Sequence, residues 1–154
     1  MNKLYNFPKS NYVLIYISGA ISTFSNSPFS ILPLIFGIGF GIYLINFASS
    51  FLKTFIAGWF LGFGWFSFGL YWIGSAFVVA DTYHTLLMPI AIIVLPSFLS
   101  IFWGIACLCA KLASKNKTFC IIYIIIFISF FEYFIAKMFT GFPWLMPSMV
   151  LSSN

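Results

Sequence analysis

The sequence predicts an all-α integral membrane protein, a bundle of about five transmembrane helices. Composition is the first reason. Of 154 residues, 62% are hydrophobic, 23% aromatic and only 6% charged. Soluble domains carry about 25% charged residues, and a water-soluble fold of this size has too little interior to hide so much apolar surface. The second reason is pattern: long apolar runs separated by short polar breaks, with lysines at the run ends. No hydrophilic stretch is long enough to fold separately in water, so the expectation is one transmembrane domain over 1–154 with no soluble domain.

The net charge of +5 comes from seven lysines. They do not cluster on one segment, so nucleic acid is excluded as a partner. They sit where positive charge biases membrane orientation.

The first apolar run, 12–25, is short and diluted by Ser18, Ser22 and Thr23. A basic start and a short apolar core also fit a signal peptide. The preferred reading is the first half of a helical hairpin that turns at Ser25-Asn26-Ser27-Pro28. The second span, 31–48, carries Gly37 and Gly41, and Lys53 then marks a loop end.

The third span is 55–79. Gly58, Gly62 and Gly69 fall within ~40° of one another on a helix, a small-residue stripe that lets backbones approach in lipid. Trp65 and Trp72 lie beside it and read as ordinary packing plus an interfacial tryptophan. Asp81 and His84 follow in a polar loop; with no nucleophile nearby, they read as solvated loop residues.

The fourth span, 86–112, has Pro89 in its first turn and Pro96 inside, where a kink is expected. The fifth is 118–138. Cys107, Cys109 and Cys120 lie in or at the edge of these spans, and Cys107 and Cys109 face different ways. They read as small apolar residues, so no metal site and no cofactor is expected.

With the N-terminus cytoplasmic, Lys3, Lys9, Lys53, Lys111, Lys115 and Lys117 are inside and Lys137 alone is outside. The positive-inside rule therefore places the N-terminus in the cytoplasm and, after five crossings, the C-terminus on the outer face.

Glu132 is the one glutamate, about six residues and ~9 Å from the end of its helix. A carboxylate at that depth costs a few kcal/mol unless paired or hydrated. Lys137 is ~140° away around the helix and snorkels to the surface instead. Glu132 is expected to face the bundle. Two readings stand: a functional group facing water or a lipid headgroup, or a carboxyl bonded to a neighbouring helix for packing alone.

Directly after this helix comes Phe139-Thr140-Gly141-Phe142-Pro143-Trp144, where the chain must turn. Glu132 followed seven residues on by this hexapeptide resembles the fifth-helix signature of bacterial apolipoprotein N-acyltransferases. Ser27-Pro28-Phe29 before Ile31-Leu32-Pro33-Leu34 resembles that family's first hairpin, and Gly58-Trp59-Phe60-Leu61-Gly62-Phe63-Gly64 through Gly69-Leu70-Tyr71-Trp72 its third helix.

The resemblance implies eight membrane helices bearing a nitrilase-like domain on the outer face of the bacterial inner membrane. It implies acyl transfer from a phospholipid to a cysteine thiol, then to the amino group of a lipoprotein's N-terminal diacylglyceryl-cysteine. A thioester splits one difficult transfer into two easier ones.

The resemblance spans this chain but only about the first third of the family's length, and the family's Glu-Lys-Cys triad lies beyond it. No catalytic residue is therefore expected here, and Cys107, Cys109 and Cys120 do not stand in. The family's usual arginine three residues after the glutamate is Ile135.

The expectation is a truncated or split acyltransferase, unable to catalyse alone. Glu132, Phe139, Thr140, Gly141, Phe142, Pro143 and Trp144 would line the opening for lipid or lipoprotein. Expected partners are membrane phospholipid, a lipoprotein substrate and a separate catalytic part. The alternative is a small non-catalytic membrane protein that packs against partners or lipids through its glycine stripe. One intramembrane carboxylate and no internal repeat count against a transporter.

Overall fold

Proline and serine set where the helices of this chain begin. The computed structural model describes residues 7–26, 29–74, 88–138 and 147. Among these there are five α-helices and no strand. Pro8 is extended and precedes α1, Lys9–Ser22. Pro33 lies in the first turn of a 3-10 segment, Leu32–Ile35, that runs into α2, Phe36–Ile45. Ser50 caps α3, Phe51–Gly69, its hydroxyl accepting from the Lys53 amide at 3.2 Å. α4 is described over Met88–Ala113 and carries Pro89 and Pro96. A short turn then leads to α5, Lys117–Met138.

These bounds correct several expected ones. The first span ends as α-helix at Ser22 and tightens into a 3-10 turn over Thr23–Ser25. The second stops at Ile45 rather than 48. The third begins at Phe51 rather than 55, because Ser50 supplies the cap, so Lys53 lies in a first helical turn and not in a loop. It ends at Gly69, where Leu70 caps onto the Phe66 carbonyl and a turn covers residues 70–72. The remainder of that expected span, 75–79, lies outside the described residues, as do Asp81, His84, Ser27 and Pro28. Replacing Ser50 by alanine should cost about 1 kcal/mol, read as a lower unfolding midpoint in detergent.

The helices α3, α4 and α5 are long and apolar enough to cross a membrane. α1 has 14 residues, and the apolar helical stretch Leu32–Ile45 is similarly short. Gly41 lies beside Ser18, and Gly37 beside Ser22 and the Ser18 carbonyl, so α1 and α2 run antiparallel as a hairpin. Whether this pair crosses twice or dips in and returns, α3 starts on the side where α1 began.

The serines that dilute α1 bond back along their own helix. Ser22 Oγ donates to the Ser18 carbonyl at 2.7 Å, and Ser18 Oγ to that of Ile15 at 2.7 Å. Hydroxyls satisfied this way enter an apolar environment without an unmade hydrogen bond. Thr23 Oγ1 reaches across to the Trp65 carbonyl at 3.0 Å and ties the end of α1 to α3.

α3 is the centre of the bundle, with α1 on one face and α4 on another, and α5 packs against α4. The buried core runs through Ile15, Leu61, Trp65, Phe66, Leu99, Trp103 and Ile124. The outward faces are also apolar: Ile90, Ile93 and Val94 on α4, Ile122, Ile126 and Phe130 on α5, each more than 45% exposed. Such faces are unfavourable in water and suited to hydrocarbon. A close-packed interior and large apolar side chains on the outward faces make this a multi-pass membrane bundle.

Candidate functional site

The site begins with one stripe on α5. Cys120, Ile124, Ile128, Glu132 and Ile135 are its buried residues, spaced by four, four, four and three. That spacing keeps them on one helix face, turned to α4. Glu132 thus faces the bundle, with only 6% of its surface exposed.

Its partner is Trp103. The indole Nε1–H donates to Glu132 Oε1 at 2.9 Å. Trp103 is held in turn by aromatic neighbours on α3. The Trp65 ring stacks 6.3 Å from it, and Phe66 meets it edge-on at 5.6 Å. A donor held by two rings loses little entropy when it binds the carboxyl, so the pair is preorganised.

Trp103 can sit there because α3 presents no side chain opposite it. A Cβ on Gly62 would lie 3.1 Å from that of Trp103, and one on Gly58 would lie 2.7 Å from Cys107 Sγ and 2.9 Å from the Trp103 carbonyl oxygen. Gly58, Gly62 and Gly69 are all buried. Gly58 and Gly62 are therefore occupied by α4 of this same chain. Trp65 is fully buried and Trp72 is 47% exposed, so the two do not form one ridge.

Beside Glu132 lies a cavity of about 290 Å³. Ile38 and Ile42 of α2, Trp103 of α4 and Ile125, Ile128, Ser129, Glu132 and Tyr133 of α5 line it, with Pro147. Its wall is mostly hydrocarbon, with the polar groups gathered on α5. This volume is at the lower end of ligand sites, roughly 300–1,000 Å³. It suits a single extended chain and is too small for a whole phospholipid. The expected opening residues Phe139, Thr140, Gly141, Phe142, Pro143 and Trp144 lie outside the described residues.

Chemically, the arrangement can seat an apolar chain and present one carboxyl group to its polar end. Among the described residues no three His, Cys, Asp or Glu side chains converge as metal ligands. Cys107 and Cys120 are buried and Cys109 half-buried, all as free thiols.

The family model for the apolipoprotein N-acyltransferase N-terminal domain matches residues 18–154. The chain belongs to this family. It is similar to the apolipoprotein N-acyltransferase of Rhodopseudomonas palustris, 34% identical over 139 residues, which covers 86% of this chain and 26% of that protein. It is 32% identical over 143 residues to that of Rhizobium rhizogenes, covering 86% and 27%. With that of Allorhizobium ampelinum it shares 35% identity over 92 residues, 60% of this chain and 17% of that protein. The chain thus spans about a quarter of the length of the first two of these relatives. Within apolipoprotein N-acyltransferases, it corresponds to the N-terminal membrane domain. Apolar helices and bacterial relatives together make it a multi-pass protein of the bacterial inner membrane.

Sequence reasoning singled out Glu132 but not Trp103, Ile38, Ile42 or Pro147. One signal was available. A carboxylate inside a membrane bundle needs a donor, and Trp103 stands well inside the fourth span. Nothing local pointed to Ile38, Ile42 or Pro147, which reach the cavity from distant parts of the chain. Ile135, at the position of the family's usual arginine, is 3% exposed on the Glu132 face. A cation there would be directed into the core, and isoleucine keeps that face apolar.

Proposed function

We propose that residues 1–154 form one membrane-embedded unit of an apolipoprotein N-acyltransferase, and that the cavity beside Glu132 seats one acyl chain of a phospholipid substrate. The observation that carries this reading is a buried carboxyl group, held by an indole, in the wall of an otherwise apolar cavity. The family match supports the reaction class. The apolar wall stabilises the chain by excluding it from water, by about 25 cal/mol per Å² buried. Glu132 marks the polar limit of the cavity, ~9 Å below the end of α5.

In this reading the N-terminus is cytoplasmic and the end of α5 faces outward, as the lysine distribution favours. Phe139, Thr140, Gly141, Phe142, Pro143 and Trp144 then continue from α5 to the opening through which phospholipid and lipoprotein arrive. The acyl-transfer chemistry itself belongs to parts of the enzyme beyond these helices. The alternative is a non-catalytic packing protein, and the glycine stripe is its motive. That motive weakens because Gly58 and Gly62 are already covered within the chain.

The test is a chimera in which residues 1–154 replace the matched segment of the Rhodopseudomonas palustris enzyme. Lipoprotein N-acylation is then measured by mass spectrometry in cells depleted of their own enzyme. The chimera should N-acylate, Glu132→Ala should lower the rate at least about tenfold, on the scale of a lost positioning contact, and Lys137→Gln should leave it unchanged. A chimera that inserts and folds yet gives no N-acylation would refute the reading.

A further inference from the structure

A second cavity lies at the opposite end of the bundle and is built from different chemistry. Its volume is about 320 Å³, and it opens where α2 ends, α3 begins, α4 ends and α5 begins. Lys111, Lys115 and Lys117 line it with Ser49, Ser114 and Asn116, and Ile45, Phe51 and Cys120 form its apolar side. Among the described residues no acid lines it, and Glu132 is fifteen residues up α5 from Lys117, ~22 Å away.

The three lysines are not equivalent. Lys111 is committed to the protein: Nζ donates to Thr54 Oγ1 at 2.9 Å and to the carbonyls of Ala48 and Ser50. It closes the floor by tying the end of α4 to the α2–α3 turn. Lys53 donates to the lining Ser49 Oγ at 3.3 Å. Lys115 and Lys117 are exposed, and Lys117 Nζ lies 5.0 Å over the Phe47 ring. The first turn of α5 starts at the same wall, and its leading N–H groups have no partner within the helix. Positive charge that served orientation alone would need no cavity. Here it converges on a recess with an apolar flank, at the level where membrane-spanning helices meet the headgroup region.

We propose that this cavity binds the phosphate of an anionic phospholipid headgroup, with Lys115 and Lys117 as the cationic contacts and Lys111 as the residue that shapes the floor. The apolar flank favours a lipid over a soluble anion, because the upper part of an acyl chain can lie against Ile45 and Phe51. Charge at a membrane surface contributes about a fivefold factor per lysine. The proposal rests on this cavity and is independent of the acyl-chain reading at Glu132.

The test uses the full chain in nanodiscs and reads its thermal midpoint and its retention of a photoactivatable phosphatidylglycerol. Phosphatidylglycerol nanodiscs should raise the midpoint above that in neutral phosphatidylcholine. The double variant Lys115→Gln, Lys117→Gln should lose that rise and retain the lipid on the order of thirtyfold less well, while Lys9→Gln, outside the cavity, keeps both. No rise in the native protein, a rise that survives the double variant, or an equal loss in Lys9→Gln would overturn the proposal. So would inorganic phosphate reproducing the rise in neutral nanodiscs, which would assign the cavity to a free anion.

Discussion

Replacing Gly64 by leucine is expected to separate α1 from α3 and to remove most of the folded protein from a detergent extract. Gly64 faces α1 so closely that even a methyl group would collide with the Tyr16 carbonyl oxygen and lie 3.0 Å from the Ala20 amide. The reverse contact is as tight: a Cβ on Gly19 would strike the Leu61 carbonyl. These neighbours are backbone atoms, which cannot swing away as a side-chain tip does. Overpacking a core usually costs about 1–3 kcal/mol. Here the helices must move apart, so the cost should reach the top of that range or pass it. Dispersion between close backbones, the main attraction between helices in lipid, would go with it. Gly39 supplies the control, because a Cβ there has no neighbour within 4 Å. Gly39→Ala should be neutral or stabilising by up to about 1 kcal/mol. Size-exclusion profiles over a temperature ramp distinguish the two. Equal behaviour of Gly64→Leu and Gly39→Ala would show that the α1–α3 contact is not close.

Trp103→Phe is expected to destabilise the bundle more than Glu132→Gln. The phenyl ring keeps much of the packing against Trp65 and Phe66 but removes the Nε1–H that serves the carboxyl. A buried polar group left without its partner costs about 1–3 kcal/mol, and more if it carries charge. Glu132→Gln keeps an oxygen acceptor for the indole and should cost less than about 1 kcal/mol. The double variant Trp103→Phe, Glu132→Leu removes donor and acceptor together and should recover most of the loss, since replacing both partners by apolar groups is nearly neutral. Unfolding titrations of the native protein, Trp103→Phe, Glu132→Leu and their double variant in mixed micelles give the coupling directly. A double variant no more stable than Trp103→Phe would mean that the Glu132–Trp103 bond does not hold α4 to α5.

The class of fold was plain from composition and run length, because hydrocarbon accepts little besides closed, hydrogen-bonded helices. The end of the fourth helix and the start of the fifth were legible to within about two residues. The third helix was not. Its start depends on one serine hydroxyl, Ser50, and its end on a turn beginning at Leu70 inside an apolar run that looks continuous. In a membrane protein, hydrophobicity continues through turns that are themselves buried, so it is a poor guide to helix ends.

Glu132 stood out because charge is costly in lipid, and its bundle-facing direction followed from the apolar residues around it. The rest of its surroundings had no such mark. Trp103 is twenty-nine residues away and Ile38 and Ile42 about ninety. The glycines show the same division. A stripe of Gly58, Gly62 and Gly69 is visible as a helical repeat, but Gly19 meeting the Leu61 carbonyl, Gly64 meeting Tyr16, and Gly104 meeting Phe55 are isolated in the sequence.

Chain chemistry alone therefore settled the solvent of this protein, its helical class, its family resemblance and the one intramembrane carboxylate worth attention. Each follows from transfer free energy or from local spacing, which neighbouring residues carry. The partner of that carboxylate, the cavity beside it and the lysine-lined recess at the other end arose only when α2, α4 and α5 were brought together. Those contacts depend on which helix faces meet and at what height, and close backbone approach at a few glycines governs both.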